Sequence, residues 1–70
     1  MPETKAEYIV KSGDCLWNIA RENLKSEGQI EPSDREVAIE TDRLALLNHL
    51  DENGRKRDLI YPGERLLLRQ

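Results

Sequence analysis

Thirteen residues near the start of the chain, Tyr8 to Ala20, admit few structures. Tyr8, Ile9 and Val10 are aromatic or β-branched, which suits a pleated, half-buried strand. Ser12 and Gly13 interrupt that run, and Gly13 tolerates a positive φ without steric cost. Asp14 then stands where a helix N-cap belongs, its carboxylate available to the free N–H groups of a first turn. Leu16, Ile19 and Ala20 follow at i, i+3 and i+4, the opening of one apolar helix face. The stretch therefore reads as a strand, a Gly-Asp corner and a buried helix face.

A partner stretch lies near the other end: Leu59-Ile60-Tyr61-Pro62-Gly63-Glu64-Arg65-Leu66-Leu67-Leu68. Tyr-Pro-Gly is a turn with a mechanism, since Pro fixes φ at its second position and Gly accepts the positive φ that a type II turn needs at its third. The apolar run that follows is a second strand. Tyr8, Val10, Gly13, Asp14, Leu16, Ile19 and Ala20 open the chain, and Ile60, Pro62, Gly63, Leu66 and Leu68 close it. In that order and spacing they resemble the lysin-motif (LysM) family. Asn48 also falls where that family carries an Asn at the end of its second helix. The resemblance covers nearly everything after residue 7. It implies a small α+β fold of βααβ order, with a two-stranded antiparallel sheet of the terminal strands and two helices packed on one face.

At 70 residues there is room for one small core. Phe is absent, so Trp17, Tyr8 and Tyr61 share the packing with Leu, Ile and Val. A net charge of −3 argues against a nucleic-acid binder, which needs a basic surface. No apolar run approaches the roughly 20 residues of a membrane span. One cysteine makes no internal disulfide, and no Cys/His cluster has metal-ligand spacing. Met1 to Glu7 is polar and does not read as a secretory signal. Two settings stay open. The segment belongs to a larger cell-wall, extracellular or periplasmic protein, as LysM domains usually do, or it is cytoplasmic, towards which a lone free thiol leans.

Along the chain, residues 1–6 read as a disordered lead-in and 7–70 as a single domain. The first strand is expected over 7–11, with Tyr8 and Val10 on one face and Ile9 and Lys11 on the other. The first helix is expected over 15–25, with Arg21, Glu22 and Lys25 facing water. Gly28 and Pro32 break the chain. Ser33 with Glu36 has capping-box spacing, so the second helix starts near Asp34. Val37, Thr41, Leu44 and Leu47/Asn48 recur at helical spacing. A continuous helix over 34–49 is preferred to one restarting at Thr41, because Val37 and Ile39 would otherwise lie in a polar loop. His49 to Asp58 is a polar loop containing the turn pair Asn53-Gly54. The second strand is expected over 65–69, with Leu66 and Leu68 facing inward beside Tyr8 and Val10. Ile9 and Leu67 would then meet across the outer face, a surface for a neighbouring domain or partner.

Catalysis finds little support. A working carboxylate pair needs a cleft with shifted pKa values, and a fold this small offers little enclosure. His49 has no Ser or Cys partner and reads as a surface histidine at a helix end. We assign no enzyme activity, cofactor or metal. The LysM resemblance instead implies a non-catalytic carbohydrate-binding module for N-acetylglucosamine-containing glycans, peptidoglycan or chitin-type, that anchors a larger protein to the cell wall. The resemblance places the sugar in a shallow groove. Gly13, Asp14, Cys15 and Leu16 form one wall, and Asp58, Leu59, Ile60 and Tyr61 the other. Backbone groups at a sharp corner can bond an acetamide, and apolar side chains can pack on its methyl and on the ring.

Three features carry a second reading. Cys15 departs from the Thr or Ser usual in the family, and a thiol is the weaker donor; it is expected to be a small, semi-buried thiol. Trp17 either stacks on sugar or covers the core, and packing is the expectation. Arg55-Lys56-Arg57 could attract anionic polymer, yet beside Glu52 and Asp58 it reads as a solvated loop. The alternative to glycan binding is a protein-interaction or assembly module on the same fold, as in a phage-tail-like or envelope scaffold.

Overall fold

The computed structural model describes residues 6–52, 54, 56–57 and 59–69. The lead-in expected over 1–6 therefore falls almost wholly outside the described residues, as do Asn53, Arg55 and Asp58. The order of elements is β1 (Glu7–Ile9), α1 (Leu16–Ser26), α2 (Asp34–Leu47) and β2 (Arg65–Leu67). β1 and β2 form a two-stranded antiparallel sheet. This is the small α+β arrangement in βααβ order that the sequence implied.

Both strands are shorter than the expected 7–11 and 65–69, although their pairing runs on beyond them. Leu68 donates to the carbonyl of Ala6 at 2.7 Å, and Val10 donates to that of Glu64 at 2.9 Å. Gly63 also donates to the Val10 carbonyl at 2.8 Å, so two residues oppose one. That is a bulge, and it ends the regular ladder. The register pairs Glu7 with Leu67, Tyr8 with Leu66 and Ile9 with Arg65. Ile9 and Leu67 are thus not opposite one another. Both lie exposed on the outer face but stand diagonally, and a Glu7–Arg65 ion pair of 2.7 Å runs along the other diagonal.

α2 is continuous from Asp34, as the capping box implied. The Ser33 hydroxyl accepts from the Glu36 N–H at 3.2 Å, and Glu36 Oε1 accepts from the Ser33 N–H at 3.1 Å. The helix stops at Leu47, two residues before the expected His49. His49 takes φ +56°, its N–H bonds back to Leu46, and Leu50 bonds back to Ala45 at 2.9 Å. This paired closure is a Schellman motif, with histidine where glycine is usual. It turns Leu50 into the core, where the side chain is fully buried. α1 ends in the same way, with Gly28 in the left-handed position.

The core gathers Val10, Leu66 and Leu68 from the sheet side with Leu16, Ile19, Ala20 and Leu24 of α1. Val37, Leu44 and Ala45 of α2 and Leu50 complete it. Ile39, although inside the continuous helix, stays exposed. The place beside it on the buried stripe is taken by Glu40, only 6% exposed. Its carboxylate accepts from Asn23 at 2.6 Å and, in a two-pronged grip, from Arg43 at 2.7 Å. Arg43 also donates to the Leu68 carbonyl at 2.6 Å. One buried charge thereby ties α1, α2 and the end of β2 together. Burial pushes the Glu40 carboxyl up, but the hydrogen bonds from Arg43 and Asn23 outweigh it and hold it below the usual 4.5.

Asn48 performs a second tie. Its side-chain amide donates to the Leu67 carbonyl at 2.8 Å and its oxygen accepts from the Leu67 N–H at 2.7 Å. A side chain thus stands in for a neighbouring strand along the outer edge of β2. No helix among the described residues is long and apolar enough to cross a membrane.

Candidate functional site

Two turns define one end of the sheet. The first runs from Lys11 to Asp14, where the Asp14 N–H donates to the Lys11 carbonyl at 3.0 Å and Gly13 has φ +89°. The second runs from Tyr61 to Glu64, where the Glu64 N–H donates to the Tyr61 carbonyl at 3.0 Å and Gly63 has φ +88°. Each has the positive φ at its third position that marks a type II turn and disfavours any residue with a Cβ. Val10 joins them, since its N–H and C=O bond to Glu64 and Gly63. The Gly13–Leu16 corner and the Leu59–Tyr61 segment are therefore held at the same end of the sheet by the strands themselves.

Asp14 does not cap α1. Cys15 occupies the N-cap, with no hydrogen bond from its side chain to the helix. Asp14 Oδ2 instead accepts from the Lys11 N–H at 2.8 Å and the Tyr8 hydroxyl at 2.6 Å. Tyr8, six residues earlier, supplies a stronger local partner than the first turn does. The hydroxyl bond first, and then the Lys11 N–H, hold the Asp14 carboxyl below the usual range. The same bond raises the Tyr8 hydroxyl. Asp14 thus stays ionised and locks the corner, with one of its oxygens already taken.

The other candidates divide into exposed and supporting residues. Cys15 is exposed rather than semi-buried, because a cap lies off the buried face of its helix. Leu16 is fully buried and lies beneath the corner. Leu59 and Tyr61 are half exposed or more, whereas Ile60 packs against the core. Trp17 is 39% exposed, a boundary position beside the corner. The Tyr61 N–H donates to Glu64 Oε1 at 3.2 Å, which stiffens the second turn. Asp58, assigned to the second wall from the sequence, lies outside the described residues.

Within the basic run, Arg57 is tied to acidic partners. It pairs with Asp51 at 2.6 Å and with Asp42 on α2, and both bonds raise its already high pKa. Its charge is spent on fastening the loop before Leu59 to the helix. His49 is exposed and contacts Glu52. Among the described residues no group of His, Cys, Asp or Glu could hold a metal ion.

A further concavity escaped the sequence reading. A groove of about 400 Å3 runs along α1, floored by Ile19 and Leu68 and bordered by Tyr8, Asp14, Asn18 and Glu22. The signal was present as Asn18, Glu22 and Ser26 at four-residue spacing, a polar stripe that reads as a plain solvent face.

Two strands with their ends together, two helices on one face and a pair of glycine turns make up a small βααβ domain. The LysM domain family model matches residues 8–69, and the chain belongs to that family. LysM domains are binding modules for N-acetylglucosamine-containing glycans, are generally non-catalytic and typically occur in cell-wall-associated proteins. No match was found to a curated protein or to a solved structure.

Proposed function

We propose that this chain binds N-acetylglucosamine oligomers of peptidoglycan or chitin between the Gly13–Leu16 corner and the Leu59–Tyr61 segment, and so anchors a larger protein to the cell wall. The observation that carries this reading is the joining of both turns through the backbone of Val10. It holds the two corners side by side without needing a ligand to assemble them. Leu59, Tyr61 and Trp17 add exposed apolar surface for a sugar ring and an acetamide methyl. Leu16 and Ile60 support the two walls from beneath. The sugar bonds at Cys15 run through the backbone, since its thiol is a weak donor.

One shallow site binds weakly, with Kd nearer 1 mM than 1 nM, or about −4 to −6 kcal/mol. Firm attachment then comes from several modules acting together. Titration with chitin oligomers followed by NMR tests the reading. Backbone amides of residues 13–16 and 59–61 should shift first, and Leu59→Asp should weaken binding with the fold intact. Leu59 is the better probe than Ile60, which packs on the core. Exposed Ile9 and Leu67 favour the second reading, an assembly module. Shifts clustered there, or none at millimolar sugar, would decide for it.

A further inference from the structure

The two edges of the sheet are unequal. In an antiparallel ladder, residues alternate between bonding across the pair and pointing their N–H and C=O away from it. Ala6 and Val10 bond across to Leu68 and to Gly63 and Glu64, and Tyr8 stands in phase with them opposite Leu66. Glu7 and Ile9 therefore aim their backbone groups outward from β1. On β2 the outward residues are Arg65 and Leu67, and Leu67 is sealed by the Asn48 amide. Among the described residues no hydrogen bond meets the outward N–H and C=O of Glu7 or Ile9. Asn48 thus covers part of the β2 edge, and nothing comparable covers the β1 edge among the described residues.

What borders the β1 edge is also particular. Asn48 and Arg43 hold α2 against β2, and the groove lining sets Tyr8 of β1 beside Asn18, Ile19 and Glu22 of α1. The groove along α1 lies on the inner side of the sheet, beside Tyr8, with an apolar floor of Ile19 and Leu68. Asp14 and Glu22 supply carboxylates to its lining; Glu22 is held only by an exposed pair with Lys25 at 3.6 Å, of a kind that exchanges partners at little cost, and Arg69 reaches the far end through Asn23. On the outer side of the same strand Ile9 is half exposed.

We infer that β1 accepts an added strand from a partner, an extended peptide in which basic and apolar residues alternate. Its main chain bonds the outward groups of Glu7 and Ile9. Because side chains alternate across a strand, one set faces the groove and the other lies beside Ile9. A lysine or arginine suits the first set, its stem on Ile19 and Leu68 and its charge near Asp14 and Glu22. A β-branched residue suits the second. The surface is separate from the Leu59–Tyr61 wall and meets the Gly13–Leu16 corner at Asp14 alone.

The test uses a seven-residue peptide alternating valine and lysine, capped at both ends, titrated into the whole chain and followed by NMR. The Glu7 and Ile9 amides should move and gain protection from hydrogen exchange. The counterpart with glutamate for lysine should bind at least tenfold more weakly. Ile9→Pro removes an outward N–H that the ladder does not use, a place where proline is tolerated; it should cost the lysine peptide at least tenfold. Glu22→Lys, on an exposed helix position, should do the same and decides the matter if Ile9→Pro does not fold. Both variants should bind chitin oligomers as the parent does, which separates failure here from failure of the glycan reading. Equal binding of the glutamate peptide, undiminished binding by Glu22→Lys, or self-association through Glu7 and Ile9 in sedimentation would overturn the inference.

Discussion

Replacing Glu40 by glutamine should lower stability at neutral pH and flatten its dependence on pH in acid. The carboxylate accepts three N–H groups, one from Asn23 and two from Arg43. A glutamine keeps one oxygen and presents an NH2 to the remaining donors. Turned to keep Asn23 and one Arg43 bond, it loses the other, and those it keeps become neutral-acceptor bonds. A hydrogen bond to a charged group is worth about 1.5–3 kcal/mol. The Arg43 side chain is 43% exposed, so water recovers part of that loss. We expect a net cost of about 2 kcal/mol, against about 4–10 kcal/mol in total for 70 residues. With an m-value near 1 kcal/mol/M for so small a chain, the urea midpoint should fall by about 2 M.

The pH effect follows from the direction of the shift. The folded protein holds Glu40 below its usual 4.5, so in acid the unfolded chain binds the extra proton first. The stabilisation is present above the unfolded value and is lost as pH falls through the lower folded one. The variant has no such proton to bind. Asp14 and Asp51 are also held low, by Tyr8 and by Arg57 respectively, so some acid sensitivity should remain. Urea unfolding at about pH 7, 5 and 3 measures both effects. An unchanged midpoint at pH 7, or an unchanged loss of stability between pH 5 and 3, would refute the assignment.

Three smaller changes probe the ends of the elements. Asn48→Ala should cost about 1–2 kcal/mol and speed hydrogen exchange at the Leu67 amide; unaltered exchange there would mean that Asn48 does not close the edge. His49→Gly should add about 0.5–1 kcal/mol, since glycine removes the strain of a left-handed histidine and gives some of it back as chain entropy; thermal melting reads the gain. Cys15→Ser should add about 0.5–1 kcal/mol by giving α1 the capping oxygen it lacks, and a melting temperature at or below the parent's would show that the first turn is satisfied already.

Local signals proved the most legible. Ser33 and Glu36 announced the start of α2, and Tyr61-Pro62-Gly63 announced its turn, because each encodes its hydrogen bonds within four residues. The inward faces were legible too, since alternation assigns them whatever the partner. The pairing was not. A shift of two residues keeps every side chain on its face but changes what it meets, so Ile9 was matched to Leu67 and found Arg65. Asp14 looked like a cap from sequence distance alone, and the Tyr8 hydroxyl reaches it only once the corner is folded. Glu40 was passed over because a charge on a buried stripe makes sense only with Asn23, which arrives from the other helix. At the candidate site both turns could be read, but Val10 as their joint, and the groove along α1, are products of tertiary structure.

The bond from Leu68 to Ala6 has a mechanical consequence. The chain enters and leaves the folded unit side by side, so tension applied through the flanking chain draws Ala6 and Leu68 apart. The rungs at Ala6, Tyr8 and Val10 then take the load in succession instead of sharing it, as the teeth of a zip do. A module loaded in this way should open at low force, without the resistance of strands pulled lengthwise past each other. If the parent protein is tethered to a surface through this unit, the sheet would act as a weak link that yields under shear. Once slack, it could re-form from the Val10 end, where the two glycine turns hold the strands together.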